Sequence, residues 1–392
     1  MKIGKKVWVA FLALLLCGST VGVFANGIHT SSEEQSTSQV TSNRPDSHAP
    51  LGVMGDHAHD AGELMLSYRF MRMAMGGLLD GTDTLSTEDA LLDYQMVPTA
   101  MRMQMHSFGA MFAPHDSVTL MAMTSYRSNL MEMEGAHTHT TGGHDHPVGH
   151  QEMESAGLGD LRLSALIPLL NASNVDLILN AGVSIPTGAI DVEGTHGGDE
   201  LIVLPYPMQL GSGSFELRPA VTFAGTSGSW SYGVQARAAI PLNENSRDYR
   251  LAPTVGSTLW SARKLNDWLS ISVRGSIQNW GNITTSAEHT EMEASEDEHD
   301  HDGHDHDSHA APDAPTQTFY MSPTMDPNLQ GGTRANLAAG VNFVVPDRLG
   351  SILAGQRLAV EIQMPVYQNL DGPQMALGWT IVAGWQYAFE LW

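Results

Sequence analysis

Between Gly157 and Gly188 apolar and polar residues alternate with a period of two. Leu161, Leu163, Ala165 and Ile167 share one face, opposite Asp160, Arg162 and Ser164. After a polar turn, Val175, Leu177, Leu179, Ala181, Val183 and Ile185 share a face opposite Asp176, Asn180, Gly182 and Ser184. Successive side chains of a strand point to opposite sides, so each run reads as a strand with one apolar face. Strands of soluble sheets usually reach about five or six residues, whereas a tilted strand needs roughly nine to eleven to cross a bilayer. In hydrocarbon every backbone N–H and C=O must find a protein partner, which only a closed barrel allows to strands. The pattern recurs over 61–74, 97–113, 117–131, 157–169, 175–187, 212–225, 229–241, 250–261, 267–280, 333–345, 356–367 and 377–391. It predicts an all-β fold, a closed antiparallel transmembrane β-barrel of about 12 strands.

The connections agree with this count. Links at 114–116, 170–174, 226–228, 262–266 and 346–355 are short and would lie on the periplasmic side. Those at 75–96, 132–156, 188–211 and 281–332 are long and would face outside. Arginines and acids are costly in lipid, so the face that carries them should line the lumen. On that basis Arg69, Met71, Met73, Arg127, Asp160, Arg162, Asp176, Glu216, Arg218, Arg237 and Arg274 are expected to line it. The arginines would tune anion preference or pair with Asp160, Asp176 and Glu216. In the second segment the same rule puts Arg102, Gln104 and His106 inside and Met101, Met103, Met105 and Met111 toward lipid. Trp230, Tyr232, Trp268, Trp280, Trp379, Trp385, Tyr387 and Phe389 gather near strand ends, as interface-anchoring rings do.

The first 25 residues read as an export signal: a basic head (Lys2, Lys5, Lys6), an apolar run from Val7 to Leu16, and small residues at Val23-Phe24-Ala25. Cys17 raises a lipoprotein alternative, but Leu16 before it is large for that cleavage. With its sole cysteine in the signal, the mature chain would have neither disulfides nor a thiolate metal site. Residues 26–60 are expected to be a flexible periplasmic segment, and 61–392 the barrel in the outer membrane of a Gram-negative cell. No later stretch is apolar for the 18 or so residues that a transmembrane helix needs.

Three short motifs resemble the outer-membrane barrel family named after the phenol meta-degradation pathway. They are Gly157-Leu158-Gly159-Asp160-Leu161, Val183-Ser184-Ile185-Pro186-Thr187-Gly188 and Trp230-Ser231-Tyr232-Gly233. The stretch from His48 to Met75 resembles the branch of these barrels associated with heavy-metal handling. The last strand, ending at Leu391, resembles the assembly signal of outer-membrane proteins, although Trp392 falls out of register with its apolar face. The resemblance implies a transporter-type barrel and implies no particular substrate or binding residues.

Candidate chemistry lies mostly outside the strands. His137, His139, His144, His146 and His150 crowd one outer loop. His289, His299, His301, His304, His306 and His309 crowd another, among eleven acids and with no Lys or Arg between Arg274 and Arg334. Imidazoles at His-x-His spacing suit Zn²⁺, Cu²⁺ or Ni²⁺, and the surrounding carboxylates concentrate cations. Such ions would be held loosely, as no obligatory cofactor. His57 and His59, just before the first strand, form a second, inner metal-contact point or a soluble lead-in. Methionines facing the lumen would offer soft sulfur to Cu(I) or Ag(I), or simply fill space. His106-Ser107 cannot be a base–nucleophile pair, since strand neighbours point apart. No nucleophile elbow, phosphate loop or zinc-protease motif appears, and a net charge of −24 is wrong for nucleic acid. The chain therefore reads as a non-enzymatic outer-membrane channel for small solutes or ions. Its expected partners are outer-membrane lipid, metal ions or small solutes, and an assisting periplasmic protein. The alternatives are an uptake channel for small hydrophobic aromatics and a non-conducting surface protein that sequesters metal.

Overall fold

The computed structural model describes residues 44–135, 149–172, 174–195, 201–285, 320–346 and 354–392, with the backbone of 139–141 and 144–146. The expected signal peptide lies outside these residues. Among them, eleven strands pair in sequence order around a closed ring. They are β1 (Glu63–Gly81), β2 (Met96–His115), β3 (Val118–Gly135), β4 (Gln151–Leu158 with Leu161–Ala172), β5 (Val175–Ile185), β6 (Glu216–Leu217 with Ala220–Ser227), β7 (Trp230–Pro241), β8 (Thr254–Lys264), β9 (Leu269–Trp280), β10 (Gly332–Val344) and β11 (Arg357–Glu390). Every neighbouring pair is antiparallel, and β11 closes the ring against β1 from Glu63↔Glu390 onward. β11 crosses the wall twice. Its first arm pairs with β10 and its second with β1. Gln368 Oε1 accepts from Leu377 N at 2.9 Å and Arg357 reaches Gln386 at 2.6 Å, so the arms lie side by side.

The outer wall is apolar. Val273, Leu259, Leu337, Val360 and Met364 all stand exposed on it. Exposed apolar surface on this scale needs hydrocarbon rather than water against it. The inner wall carries Asn129, Gln235, Ser272, Arg274, Arg357 and Glu361, all buried.

Two strands are interrupted, and the first interruption lies at two of the resembling motifs. β4 breaks at Gly159-Asp160, where the Asp160 carboxylate accepts from Gly188 N (3.0 Å), Ser212 N (2.9 Å) and Ser212 Oγ (2.8 Å). Thr187 Oγ1 accepts from Leu161 N (2.9 Å) and donates to Gly159 O (3.1 Å). The first two motifs are thus one hydrogen-bonded junction. Gly188 and Gly211 meet there so closely that a Cβ on Gly211 would collide with Gly188 O. In the third motif, a Cβ on Gly233 would strike the Trp260 ring, which points into the lumen. β6 breaks at Arg218-Pro219, and Arg218 N still reaches Gly182 O at 2.7 Å.

Placing arginine inside a barrel holds for Arg69 of β1, Arg127 of β3 and Arg274 of β9, but Arg72 of β1 is exposed on the outer face and the rule inverts β2. Met101 and Met111 are buried in the lumen, while Arg102 lies outside, bound to Glu132 of β3 at 2.5 Å. His106 also faces outward, its ring nitrogen 2.8 Å from Tyr68 Oη, with Ser107 buried on the other side. The reason is length. β2 has 20 residues, about twice what hydrocarbon requires, so its outer half stands above the lipid and its polar residues meet water.

Val273 lies mid-span and 62% exposed on the outer wall, whereas Asn279 sits near the rim of the same strand. V273R is expected to lower folding stability in lipid vesicles by about 2–4 kcal/mol and N279R by about 0–1, read as urea midpoints. Equal costs at the two positions would contradict the hydrocarbon boundary drawn here.

Candidate functional site

Residues 44–62 make no strand and do not hang free as a lead-in. They enter the barrel at the end where Gly62 meets Leu391, and they leave by that end. Arg44 donates to Gly228 O at 3.1 Å, and Pro45 O accepts from Ser270 Oγ at 2.8 Å, both near the short-turn rim. A turn closed by Val53 N→Pro50 O (2.9 Å) then carries the chain inward. Leu51 packs among Met71, Ala359 and Val382, and Val53 packs against Trp260. These contacts involve inward residues of β1, β8 and both arms of β11.

A coil inside a lumen has carbonyls with no sheet to satisfy them, and buried carbonyls are costly unless bonded. The barrel wall supplies the donors. Arg357 donates to Ala49 O (2.9 Å), and Arg69 to Leu51 O (3.0 Å) and Val53 O (3.3 Å). Gln235 donates to Met54 O (2.8 Å). Farther along, His59 N donates to Thr119 Oγ1 (2.9 Å) and Ala61 N to Asp116 Oδ1 (2.7 Å). The segment is therefore a stopper in the periplasmic half of the barrel.

The opposite end is closed by apolar packing instead. Met96, Met101, Met131, Met133, Met153, Met208 and Met375 form one buried cluster with Leu78, Val97 and Leu204. Ser155 Oγ donates to Met208 O at 2.6 Å, which ties the 204–210 segment over the wall.

The expected lumen-lining residues fall into distinct roles. Arg69 holds the stopper, with Met71 beside Leu51; Met73 faces Met103 across the β1–β2 pair. Arg218 pairs with Glu216 at 2.6 Å, the one expected acid partner that an arginine takes among the described residues. Asp160 serves as the backbone junction instead. Arg274 pairs with Glu361 (2.6 Å) and Gln363 (2.7 Å), partners the sequence did not suggest. Arg127, Arg162 and Arg237 are inward residues of β3, β4 and β7, and Asp176 lies inward on β5.

The candidate metal ligands separate in the same way. His137, His289, His299, His301, His304, His306 and His309 lie outside the described residues. A short hairpin places His139 opposite His146 and Thr141 opposite His144 along the backbone. His150 is exposed, with Nε2 4.0 Å from Glu132 Oε2. His57 and His59 are inside the barrel, on the stopper, and two further residues join them. His48, Asp56 and His57 bring ligand atoms within 4.8 Å of one another. Asp56 Oδ2 accepts from Ala49 N at 2.7 Å, so the two ends of the turn are already tied together. His59 Nδ1 lies 2.9 Å from Glu63 Oε2. Burial, then the neighbouring His57, hold the His48 imidazole well below its usual pKa; burial lowers His59 too, against the pull of Glu63. Burial works to raise Asp56, but His57 and His48 outweigh it and hold the carboxyl well below the usual range. His48 and His59 are therefore neutral at neutral pH, the form that offers a lone pair to a metal.

Similarity to known proteins bears on the wall. No family model and no curated protein matches the chain. Among solved structures it is similar to the COG4313 outer membrane channel from Pseudomonas putida F1, at 11% identity, covering 85% of this chain and 98% of that one with a TM-score of 0.53. The toluene transporter TodX of P. putida is a more distant neighbour, at 9% identity over 85% of this chain and 91% of that one, TM-score 0.37. At such identities the first likeness is one of fold. With the apolar outer wall, it makes the chain an outer-membrane β-barrel of the Gram-negative type.

The Arg274–Glu361 pair is almost fully buried, at 6% and 2% side-chain exposure, whereas Arg218 of the other pair is 29% exposed. E361A is expected to cost about 3–5 kcal/mol by stranding a buried guanidinium, and E216A about 1 kcal/mol or less. Urea unfolding followed by tryptophan fluorescence checks this. An E361A barrel as stable as the E216A barrel would refute the pairing.

Proposed function

We propose that the chain is an outer-membrane channel for small solutes or ions, closed at rest by residues 44–62. The observation that carries this reading is the way the stopper is held. Side-chain hydrogen bonds from Arg69, Gln235 and Arg357, not a continuous β-ladder, fix it to the wall. Each such bond contributes only about 0.5–3 kcal/mol net, so the segment can leave the lumen without unfolding the barrel. The entry and exit of the segment at one rim also favour this, because no strand has to be threaded or broken.

On this reading the acidic, histidine-rich outer loops gather Zn²⁺, Cu²⁺ or Ni²⁺ above the opening, as the metal-handling resemblance suggests. A periplasmic partner would act at the rim from which the stopper emerges. A second reading, uptake of small hydrophobic aromatics, is favoured by the methionine cluster at the other end. Thioether side chains are flexible and apolar, and they adapt to varied apolar solutes.

Planar-bilayer recording tests the channel. The wild type is expected to conduct rarely, and R69A/R357A to spend at least tenfold more time open, about 1.4 kcal/mol of lost anchoring. Silence from both proteins, with their barrels folded, would refute a channel.

A further inference from the structure

The turn 49–55 occupies the lumen, and its two ends converge on three ligating side chains. His48 Nδ1 lies 3.2 Å from His57 Nδ1, and that same His57 nitrogen lies 3.1 Å from Asp56 Oδ1. One proton cannot serve both contacts. If His57 Nδ1 carries the proton toward Asp56, His48 finds no lone pair on it. If it is bare, two lone pairs face each other at Asp56.

The rest of the cluster is also incomplete as a hydrogen-bond network. Among the described residues, Nε2 of His57 and Nε2 of His59 are buried without a partner. Buried imidazole nitrogens left so are unfavourable.

A cation at the point of convergence satisfies the three atoms together. Around a tetrahedral ion with bonds of about 2.0–2.1 Å, neighbouring ligand atoms stand about 3.3–3.4 Å apart. The separations of 3.1 and 3.2 Å at His57 are within a few tenths of an ångström of that edge, whereas the three ligand atoms as a group span up to 4.8 Å, so an ion draws His48 and Asp56 closer together as it binds. A cavity of about 20 Å³ adjoins the cluster, lined by Asp56, His57, Met65, Met111, Met121 and Met123. It has room for one water on the open position of an ion. Two imidazoles and a carboxylate suit a borderline divalent ion rather than Ca²⁺ or Mg²⁺.

We propose that His48, Asp56 and His57 form a site for one divalent transition-metal ion of the Zn²⁺/Cu²⁺ type, and that the ion locks the turn 49–55 inside the barrel. His59 is the neighbouring donor. The site stands on its own geometry; only the locking rests on the reading of 44–62 as a channel stopper. An ion bound to the seated turn and not to the released one favours the seated state about a hundredfold at a hundred times its dissociation constant.

Chelator-stripped, full-length barrel in detergent is titrated with Co²⁺, whose visible absorption reports nitrogen and oxygen ligands, and then competed with Zn²⁺. One tight equivalent is expected. H48A and H57Q should weaken it at least tenfold, while alanine at His289, His299, His301, His304, His306 and His309 should remove only weaker binding. H57Q keeps a donor toward Asp56, and heat-modifiable gel mobility verifies folding of each variant. Tight Co²⁺ binding by H48A and H57Q equal to the wild type overturns the site, whether or not the barrel conducts. Bilayer recording with Zn²⁺ should cut the wild-type open time about tenfold and leave H57Q unchanged. A conducting barrel that binds the ion but ignores it overturns the locking. A barrel that binds the ion and never conducts leaves the site standing and removes the channel reading instead.

Discussion

Backbone N–H and C=O groups that have no water must be paired within the protein, and this requirement organises the molecule twice. On the lipid side it forces the sheet to close: β11 returns to β1, and no ladder edge is left in hydrocarbon. On the inner side it forces the wall to answer a segment that is not a strand. Ala49, Leu51, Val53 and Met54 each present a carbonyl, and Arg357, Arg69 and Gln235 meet them. The inward side chains are therefore matched to a particular stretch of coil. They are not merely the polar lining of an empty tube.

The two closures of the lumen differ in kind. At the rim where the chain enters, closure depends on directional bonds to a coil segment. At the other end it depends on methionine packing, non-directional and tolerant of rearrangement. Solutes approaching from outside would meet a soft apolar surface first, then the stopper. Between strands the barrel is stiffened by the junction at Asp160, where one carboxylate bridges an interrupted strand to Gly188 and Ser212. A kink in a barrel wall would otherwise leave backbone donors open, and this carboxylate closes two such gaps and accepts from the Ser212 hydroxyl as well.

The barrel was largely legible in the sequence because alternation has a simple cause, a wall with lipid on one side. Leu269, Ile271, Val273 and Ile277 against Ser270, Ser272 and Arg274 could be read directly, and the separate segments 356–367 and 377–391 proved to be the two arms of β11. Where the cause changes, the reading failed. In β2 the outer half stands above the membrane, so polarity no longer marked the lumen, and Met101 and Met111 took the inner face. The stopper was missed because its composition resembles a linker. What identifies it is the sum of partners on distant strands, such as Ser270 for Pro45 and Arg357 for Ala49, and these have no local signature. His57 and His59 were visible as a pair, but His48 and Asp56 joined them only because the turn at Pro50 folds the chain back. The same holds for Glu361, whose arginine partner lies 87 residues away.

The account turns on residues 44–62 lying within the barrel, and cysteine accessibility reads that directly, since the chain's single cysteine is Cys17. In C17S protein folded in detergent, a bulky water-soluble maleimide should react readily with a cysteine replacing Leu92, which is 83% exposed, and far more slowly with one replacing Leu51, which is 4% exposed. Slow labelling at 51 that becomes fast on unfolding is the expected result. Equal rates at the two positions in the folded barrel would contradict it.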